Sequence, residues 1–534
     1  MSVGAIVFLG LLAVELPLLG AAFSKRPRVS TAARVLVFLV PLLLALGFRT
    51  AHAFSTHDVL DWDETYYASL AVTAASGHGL YPYIYGFGPM QIMGGTGYAA
   101  YSYALAVKMF GPTIFALRTV SLLASVAGLA GIWLLVKTWY GSGPAWWAAA
   151  LTASLQLFVL SNSARMDSWT FAYVTWGLVA VAVAFDRWPD RRWHLLAGLI
   201  FGLGLQVHID TVVTGAACGF LYFLRYLSEA REARRIWLPG HPMFMYVAGV
   251  LAGGALYVCV NILPDTASYY TMTVLVRVDA TSSYSSGTSS IVGSFLDPRI
   301  LFAKEAARYR QLVAITPPLE IVFLVAGIVT AAVRRNRADR LVLALVPAVA
   351  VGAAVLLNNT SPFYYIHVLP ALIVPIAPLF THGVRGQSKV RLSDVAPGAL
   401  VASVVVVCVL CASAAARTVR TMRAHRPPPV SLETIQRVRA LVDRRCKMAG
   451  DGGLYVPYFA DYPYFISLRP TEVKHGLLYY GTTDEAAYWQ IKQPDVVFAT
   501  GALNPGLSQY VASRHLAQIE PGFWMNPSGC RPGP

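Results

Sequence analysis

Apolar positions in this chain do not alternate or recur at helical spacing so much as arrive in blocks. Candidate runs lie near 3–22, 35–54, 115–136, 144–161, 168–186, 193–209, 211–226, 243–262, 316–333, 340–357, 363–381 and 393–416. Blocks of this length, close to 20 residues, are what a helix needs to cross a bilayer, where every backbone group must bond within its own segment. They predict about twelve transmembrane helices. The division inside 193–226 is the least marked, since its two short runs are separated only by His208-Ile209-Asp210. The first run, Val3 to Phe23, lacks a basic leader and a small-residue cleavage site, so it reads as a span and not a signal peptide.

Two long stretches interrupt the blocks. The first, about 55–114, holds Tyr66, Tyr67, Tyr81, Tyr83, Tyr85, Phe87, Tyr98, Tyr101 and Tyr103, with breaks at Gly88-Pro89 and Gly111-Pro112. Aromatic rings of this kind favour the headgroup level, which predicts short helices lying along the interface. The second, 263–315, contains a Ser-rich segment, 279–294, expected to be mobile, and then Arg299, Lys304, Arg308 and Arg310. Lys304 and Arg308, four residues apart, share one helix face. That face is either solvated beside anionic headgroups or bound to a substrate phosphate. Past 416 the pattern changes again. Basic residues and Pro427-Pro428-Pro429 precede a region where Ser431 can cap a helix to about Cys446. Strands are expected at 453–459, 473–480 and 495–499, and helices at 484–492 and 507–515. The predicted fold is therefore a polytopic α-helical membrane domain (1–416) with a small C-terminal α/β domain (417–534).

Composition agrees: 56% of residues are hydrophobic and only 13% charged. A formal charge of +15 would suit a nucleic-acid partner, but the cations are elsewhere accounted for. Lys25, Arg26, Arg28 and Arg34, Arg187, Arg191 and Arg192, Arg225, Arg231, Arg234 and Arg235, Arg334, Arg335, Arg337 and Arg340, and Arg385, Lys389 and Arg391 fall in alternate loops. The short loops of the other set carry only Arg165. The positive-inside rule places the basic loops in the cytoplasm. The first long loop, the 162–167 turn, the 263–315 segment and the C-terminal domain then share the outer face of the plasma (inner) membrane, and no nucleic-acid partner is expected. Cys446 and Cys530 in the outer domain could pair as a disulfide or remain two free thiols.

Candidate chemistry gathers on that outer face. Asp61-Trp62-Asp63-Glu64 puts three carboxylates in four residues just after the second run. A helix start would explain them, and so would a catalytic role. Asp167 follows Ala164-Arg165-Met166 at another outer turn, and His208 and Asp210 stand at a third. Ionisable groups at membrane depth are costly and are functional candidates for that reason. No phosphate-binding glycine loop, zinc-ligand spacing or serine elbow occurs.

Asp63-Glu64-Thr65-Tyr66-Tyr67-Ala68 resembles the D-E-x-x-Y-A signature in the first outer loop of GT-C glycosyltransferases, in particular the lipid A aminoarabinose transferases and protein O-mannosyltransferases. Tyr81-Pro82, Gly88-Pro89, Gly111-Pro112 and Arg118 are similar to the order of features along that loop and the next span. Arg165-Met166-Asp167 resembles the family's R-x-D turn. Phe363-Tyr364-Tyr365 with Leu369-Pro370 is similar to the approach to a late span. The resemblance covers about 35–381. It implies transfer of a sugar from a polyprenyl-phosphate donor to a hydroxyl of a glycan, lipid or protein acceptor, within a membrane whose lipids are the other partners. Asp63 would be the general base, with Glu64 and Asp167 as the other catalytic candidates, Glu64 supporting the helix or orienting a neighbour. Tyr67, Arg165, His208, Asp210, Arg299, Lys304, Arg308, Tyr364 and Tyr365 are the substrate- or phosphate-binding candidates. One base without a covalent nucleophile gives inversion at the sugar carbon. In the aminoarabinose transferases a Glu-Lys pair precedes the first-loop proline, whereas here Phe87-Gly88 precedes Pro89. No metal cofactor is therefore expected to be required. His208 and Asp210 are spare ligands should a divalent ion bind, the other reading being a buried hydrogen-bonded pair. The alternative function is a transporter or flippase for a lipid-linked sugar. Acids at one face and no repeat between halves count against it.

Overall fold

The computed structural model describes residues 3–24, 27–55, 63–77, 97–155, 163–270, 298–315, 318–356, 365–381, 391–423 and 431–530, with short breaks inside 391–396 and 452–529. Several sequence expectations fall outside these residues: Asp61, the Tyr81–Pro89 features, the 279–294 segment and Tyr364. The side chains of Asp63 and Tyr365 do also.

Helices dominate. In chain order they include α1 (Val3–Ala22), α2 (Pro27–Ser55), α3 (Asp63–Ala75), α4 (Gly97–Phe110), α5 (Ile114–Tyr140), α6 (Ser142–Ser154), α7 (Asp167–Asp186), α8 (Arg191–Gly204), α9 (Thr211–Glu232) and α10 (Pro242–Tyr257). They continue with α11 (Pro298–Ile315), α12 (Pro318–Arg334), α13 (Arg337–Leu356), α14 (Tyr365–Ile373) and α15 (Pro397–Arg423). Every expected apolar run is helical over its described residues, apart from helix ends and the 3₁₀ turn Val374–Thr381 that continues α14. Six helices among them are long and apolar enough to cross a membrane: Ala5–Ala22, Ser30–Ala51, Ile114–Tyr140, Asp167–Asp186, Pro242–Ile262 and Pro397–Arg420. The first long stretch between the apolar blocks, about 55–114, supplies α3 and α4, packed on each other. At 14 residues α4 is too short to span the bilayer.

The tightest helix contact pairs α8 with α10. A Cβ built at Gly198 would overlap the Tyr246 carbonyl, and one at Gly249 the Leu195 carbonyl. One at Gly202 would lie 2.6 Å from the Val250 carbonyl oxygen. Small residues four apart on both helices let the backbones meet, the usual way for helices to associate in lipid. Gly198→Val is expected to cost at least about 3 kcal/mol, since backbone cannot yield as a side chain does. Gly10→Val, at a position with nothing within 4 Å, is the control. Thermal unfolding in detergent should separate the two variants; equal midpoints would refute the close approach.

The C-terminal domain begins with α16 (Leu432–Leu441), capped as expected by Ser431, whose Oγ accepts the Thr434 amide at 3.1 Å. It ends earlier than expected because Val442 is extended. The domain's sheet contains β1 (Met448–Gly450), β2 (Phe465–Ser467), β3 (Val496–Phe498), β4 (Ala517–Glu520) and β5 (Phe523–Met525) in the order β2-β1-β3-β5-β4. β1 pairs in parallel with β2 and β3; β5 pairs antiparallel with β3 and β4. Helices α17 (Glu485–Lys492) and α18 (Pro505–Ser513) lie close to expectation. The expected strand at 453–459 is instead a π-helical turn, Tyr455–Phe459, and no strand occurs among the described residues of 473–480. The expected strand at 495–499 is β3. Cys446 and Cys530 are joined by a disulfide. One apolar cluster runs from Tyr66, Leu70 and Tyr103 to Ile435, Met448, Tyr455 and Phe465, so the domain sits on α3 and α4.

Candidate active site

The start of α3 is locked to the turn before α7 by Glu64. Its Oε1 accepts from Arg118 Nε at 2.9 Å and from the Ala164 amide at 2.7 Å, while Oε2 accepts from Arg118 Nη2 at 2.8 Å. Arg118 Nη1 donates to the Ala53 carbonyl at 3.0 Å. Both side chains are fully buried, a tolerable state for two charges only because each is met by several partners. The clasp ties the end of α2, the start of α3, the first turns of α5 and the 163–166 turn together. With both oxygens engaged, Glu64 braces the start of α3 against the 163–166 turn. Asp63 is the residue before it and the first of α3.

The same turn is held from two further sides. Tyr103 donates to the Arg165 carbonyl at 2.6 Å and shares a hydrogen bond with Ser121, and Tyr67 donates to Met166 Sδ at 2.7 Å. Tyr67 is buried among Tyr66, Tyr103 and Met166. Its hydroxyl supports the turn, where the sequence suggested substrate contact.

From this turn a chain of polar groups crosses three elements. Arg165 Nε donates to Asp167 Oδ2 at 2.6 Å. Asp167 Oδ1 meets His367 Nε2 at 2.9 Å, and His367 Nδ1 meets Asp210 Oδ2 at 3.1 Å. His208 Nδ1 lies 3.3 Å from that same Oδ2 and accepts the Asp210 amide at 3.1 Å. All five residues are buried. Asp167 opens α7, His208 and Asp210 form the turn between α8 and α9, and His367 sits in the first turn of α14. The 205–210 turn is further fixed by Tyr98, whose amide donates to the Gln206 carbonyl at 3.2 Å, and by Asn261, which donates to Gln206 Oε1 at 2.8 Å.

Sequence reasoning singled out Arg165, Asp167, His208 and Asp210, and the structure brings all four together. It missed His367, though the signal was available: an ionisable residue at the mouth of an apolar run, two positions after Tyr365. Lys304 and Arg308 go elsewhere. Lys304 Nζ donates to the Ala354 carbonyl at 2.6 Å and Arg308 Nη1 to Ala353 at 3.2 Å, with Arg308 also 2.8 Å from Glu305. Buried, they meet the last carbonyls of α13, where a helix leaves acceptors unsatisfied and its dipole favours cations. Their burial corrects the reading of them as a solvated face. Arg299 is exposed and is not joined to the chain of polar groups by any described contact.

With this geometry in hand, the chain can be set beside known proteins. Residues 98–260, less than a third of the chain, match the family model described as dolichyl-phosphate-mannose-protein mannosyltransferase. No curated protein sequence matches. Among solved structures, ArnT from Cupriavidus metallidurans bound to undecaprenyl phosphate is similar with a TM-score of 0.57 at 12% identity, covering 93% of this chain and 99% of that one. The apo form of the same protein gives 0.54 at 13% identity, covering 89% and 94%. At such identities the likeness is one of fold.

Proposed function

We propose that the chain is a membrane glycosyltransferase of the GT-C type that moves a sugar from a polyprenyl-phosphate donor to an acceptor hydroxyl at the outer face of the plasma membrane. The observation that carries this reading is the Glu64 clasp. Through its 2.7 Å contact with the Ala164 amide, it holds the residue next to Asp63 against the turn bearing Arg165 and Asp167. The acid stretch and the R-x-D turn are distant in sequence and meet in space.

In this reading Asp63 takes the proton of the acceptor hydroxyl as that oxygen attacks the anomeric carbon. The bond from that carbon to the phosphate oxygen breaks, and lipid phosphate leaves with the electron pair. Its charge needs a cation more than a proton, and Arg165, oriented by Asp167, supplies one. A single displacement inverts the sugar carbon. The undecaprenyl phosphate bound to the structurally similar ArnT supports a lipid phosphate as the donor's carrier. The alternating basic loops support the outer orientation, as does the Cys446–Cys530 disulfide, a feature of oxidising compartments.

The test is transfer in vitro. The purified chain in proteoliposomes is given radiolabelled undecaprenyl-phosphate sugars and membranes from cells lacking it. Label in a new glycosidic bond, with release of undecaprenyl phosphate, is expected. Label that crosses the bilayer still attached to its lipid would replace transfer with flipping.

A further inference from the structure

The junction of α8, α9 and α14 has the dimensions of a metal site. His208, Asp210 and His367 each offer one ligand atom, and these atoms all lie within 4.8 Å of one another. Two of the separations are 3.3 Å, between His208 Nδ1 and Asp210 Oδ2, and 3.1 Å, between His367 Nδ1 and the same oxygen. Nitrogen and oxygen ligands at zinc-like bond lengths and tetrahedral angles stand about 3.3 Å apart. Two of the three edges are already those of a coordination shell.

Hydrogen-bond chemistry points the same way. His208 Nδ1 accepts the Asp210 amide at 3.1 Å, so it carries a lone pair and no proton. That lone pair then lies 3.3 Å from a carboxylate oxygen. Two acceptors facing each other in a buried place repel, and a cation between them removes the conflict. On the other ring, Nε2 of His367 lies 2.9 Å from Asp167 Oδ1. A carboxylate only accepts, so a neutral His367 that gives its proton to Asp167 from Nε2 turns an Nδ1 lone pair towards Asp210 Oδ2, 3.1 Å away, and a cation between those two atoms is what that tautomer calls for. A ligating histidine whose second N–H goes to a carboxylate is the common outer-shell arrangement of protein metal sites.

We propose that His208, Asp210 and His367 bind one divalent first-row metal ion, zinc by its ligand set, and that Asp167 orients His367 for this purpose. Two imidazoles and one carboxylate are three protein ligands, which leaves a coordination position open to water or another oxygen, as in catalytic zinc sites. Metal content does not depend on which sugar or acceptor is used, so this proposal and the transfer reaction stand or fall separately.

The test uses the full chain, purified in detergent through a tag without histidines, incubated with Zn²⁺ and desalted. Elemental analysis is expected to find about one zinc per chain. His367→Ala and His208→Gln should each reduce that to less than about a tenth, with an unchanged gel-filtration profile. Because His367→Ala could fail to fold, the wild-type chain loaded with Co²⁺ gives a second readout: visible absorption typical of four-coordinate cobalt, abolished by competing Zn²⁺. Wild-type protein that desalts free of zinc overturns the proposal. So does full zinc retention by both variants, which would place the metal elsewhere.

Discussion

Asp63→Asn is expected to slow sugar transfer by about 10²–10⁴-fold while the protein stays folded. Asparagine keeps the size and removes the charge and basicity, so an acceptor hydroxyl loses the group that takes its proton. The structural cost is small. Asp63 is the first residue of α3, and losing a carboxylate at a helix start costs about 0.3–1 kcal/mol. The loss should fall on kcat, with the KM for the lipid donor little changed, because a base acts in the transition state and not in donor binding. Initial rates over a range of donor concentrations, beside thermal unfolding of the same preparations, make the comparison. A variant within tenfold of wild type would move the base elsewhere.

Arg118→Ala should do the opposite and damage the fold first. Removing one partner of a buried ion pair leaves a charge without compensation, at about 3–5 kcal/mol. Here the abandoned group is Glu64, which is 0% exposed. It holds the Ala164 amide as well, so the 163–166 turn loosens with it. The paired change Glu64→Gln with Arg118→Met should recover part of the stability, since two neutral groups avoid the buried charge. It should not recover full activity, because an amide oxygen holds the Ala164 N–H less firmly than a carboxylate does. Unfolding midpoints for the two single variants and the double variant test this cycle. An Arg118→Ala midpoint equal to wild type would mean the clasp contributes nothing.

Much of the membrane domain was legible in the sequence because a bilayer demands long apolar helices and little else. The C-terminal sheet was not. Four of its five strands were missed, and three of those, Met448–Gly450, Phe465–Ser467 and Phe523–Met525, are only three residues long, too short for an alternating pattern to register. Tyr455–Phe459 has the aromatic content of a strand, and tertiary packing against Phe465 and Phe498 makes it a helical turn. At the site, Arg165, Asp167, His208 and Asp210 were readable one by one as charges at the mouths of spans. Which of them meet was not, because α14 delivers His367 from far along the chain. Lys304 and Arg308 show the same gap. Their spacing gives a shared face, and only the fold shows that this face meets the end of α13.

The glycines between α8 and α10 fix the position of the turn that carries His208 and Asp210. α8 ends at Gly204, and the turn carrying His208 and Asp210 follows at once. Sliding α8 along α10 by one residue would shift that turn by about 1.5 Å, half the length of the contacts from His367 to Asp167 and Asp210. Gly198 and Gly249 therefore work as a depth stop. A bilayer that thickens or thins can tilt the outer helices, and this pair, seated backbone on backbone, is the part least able to follow. Its stiffness would keep the His208–Asp210 turn in register with His367 while the lipid around it varies.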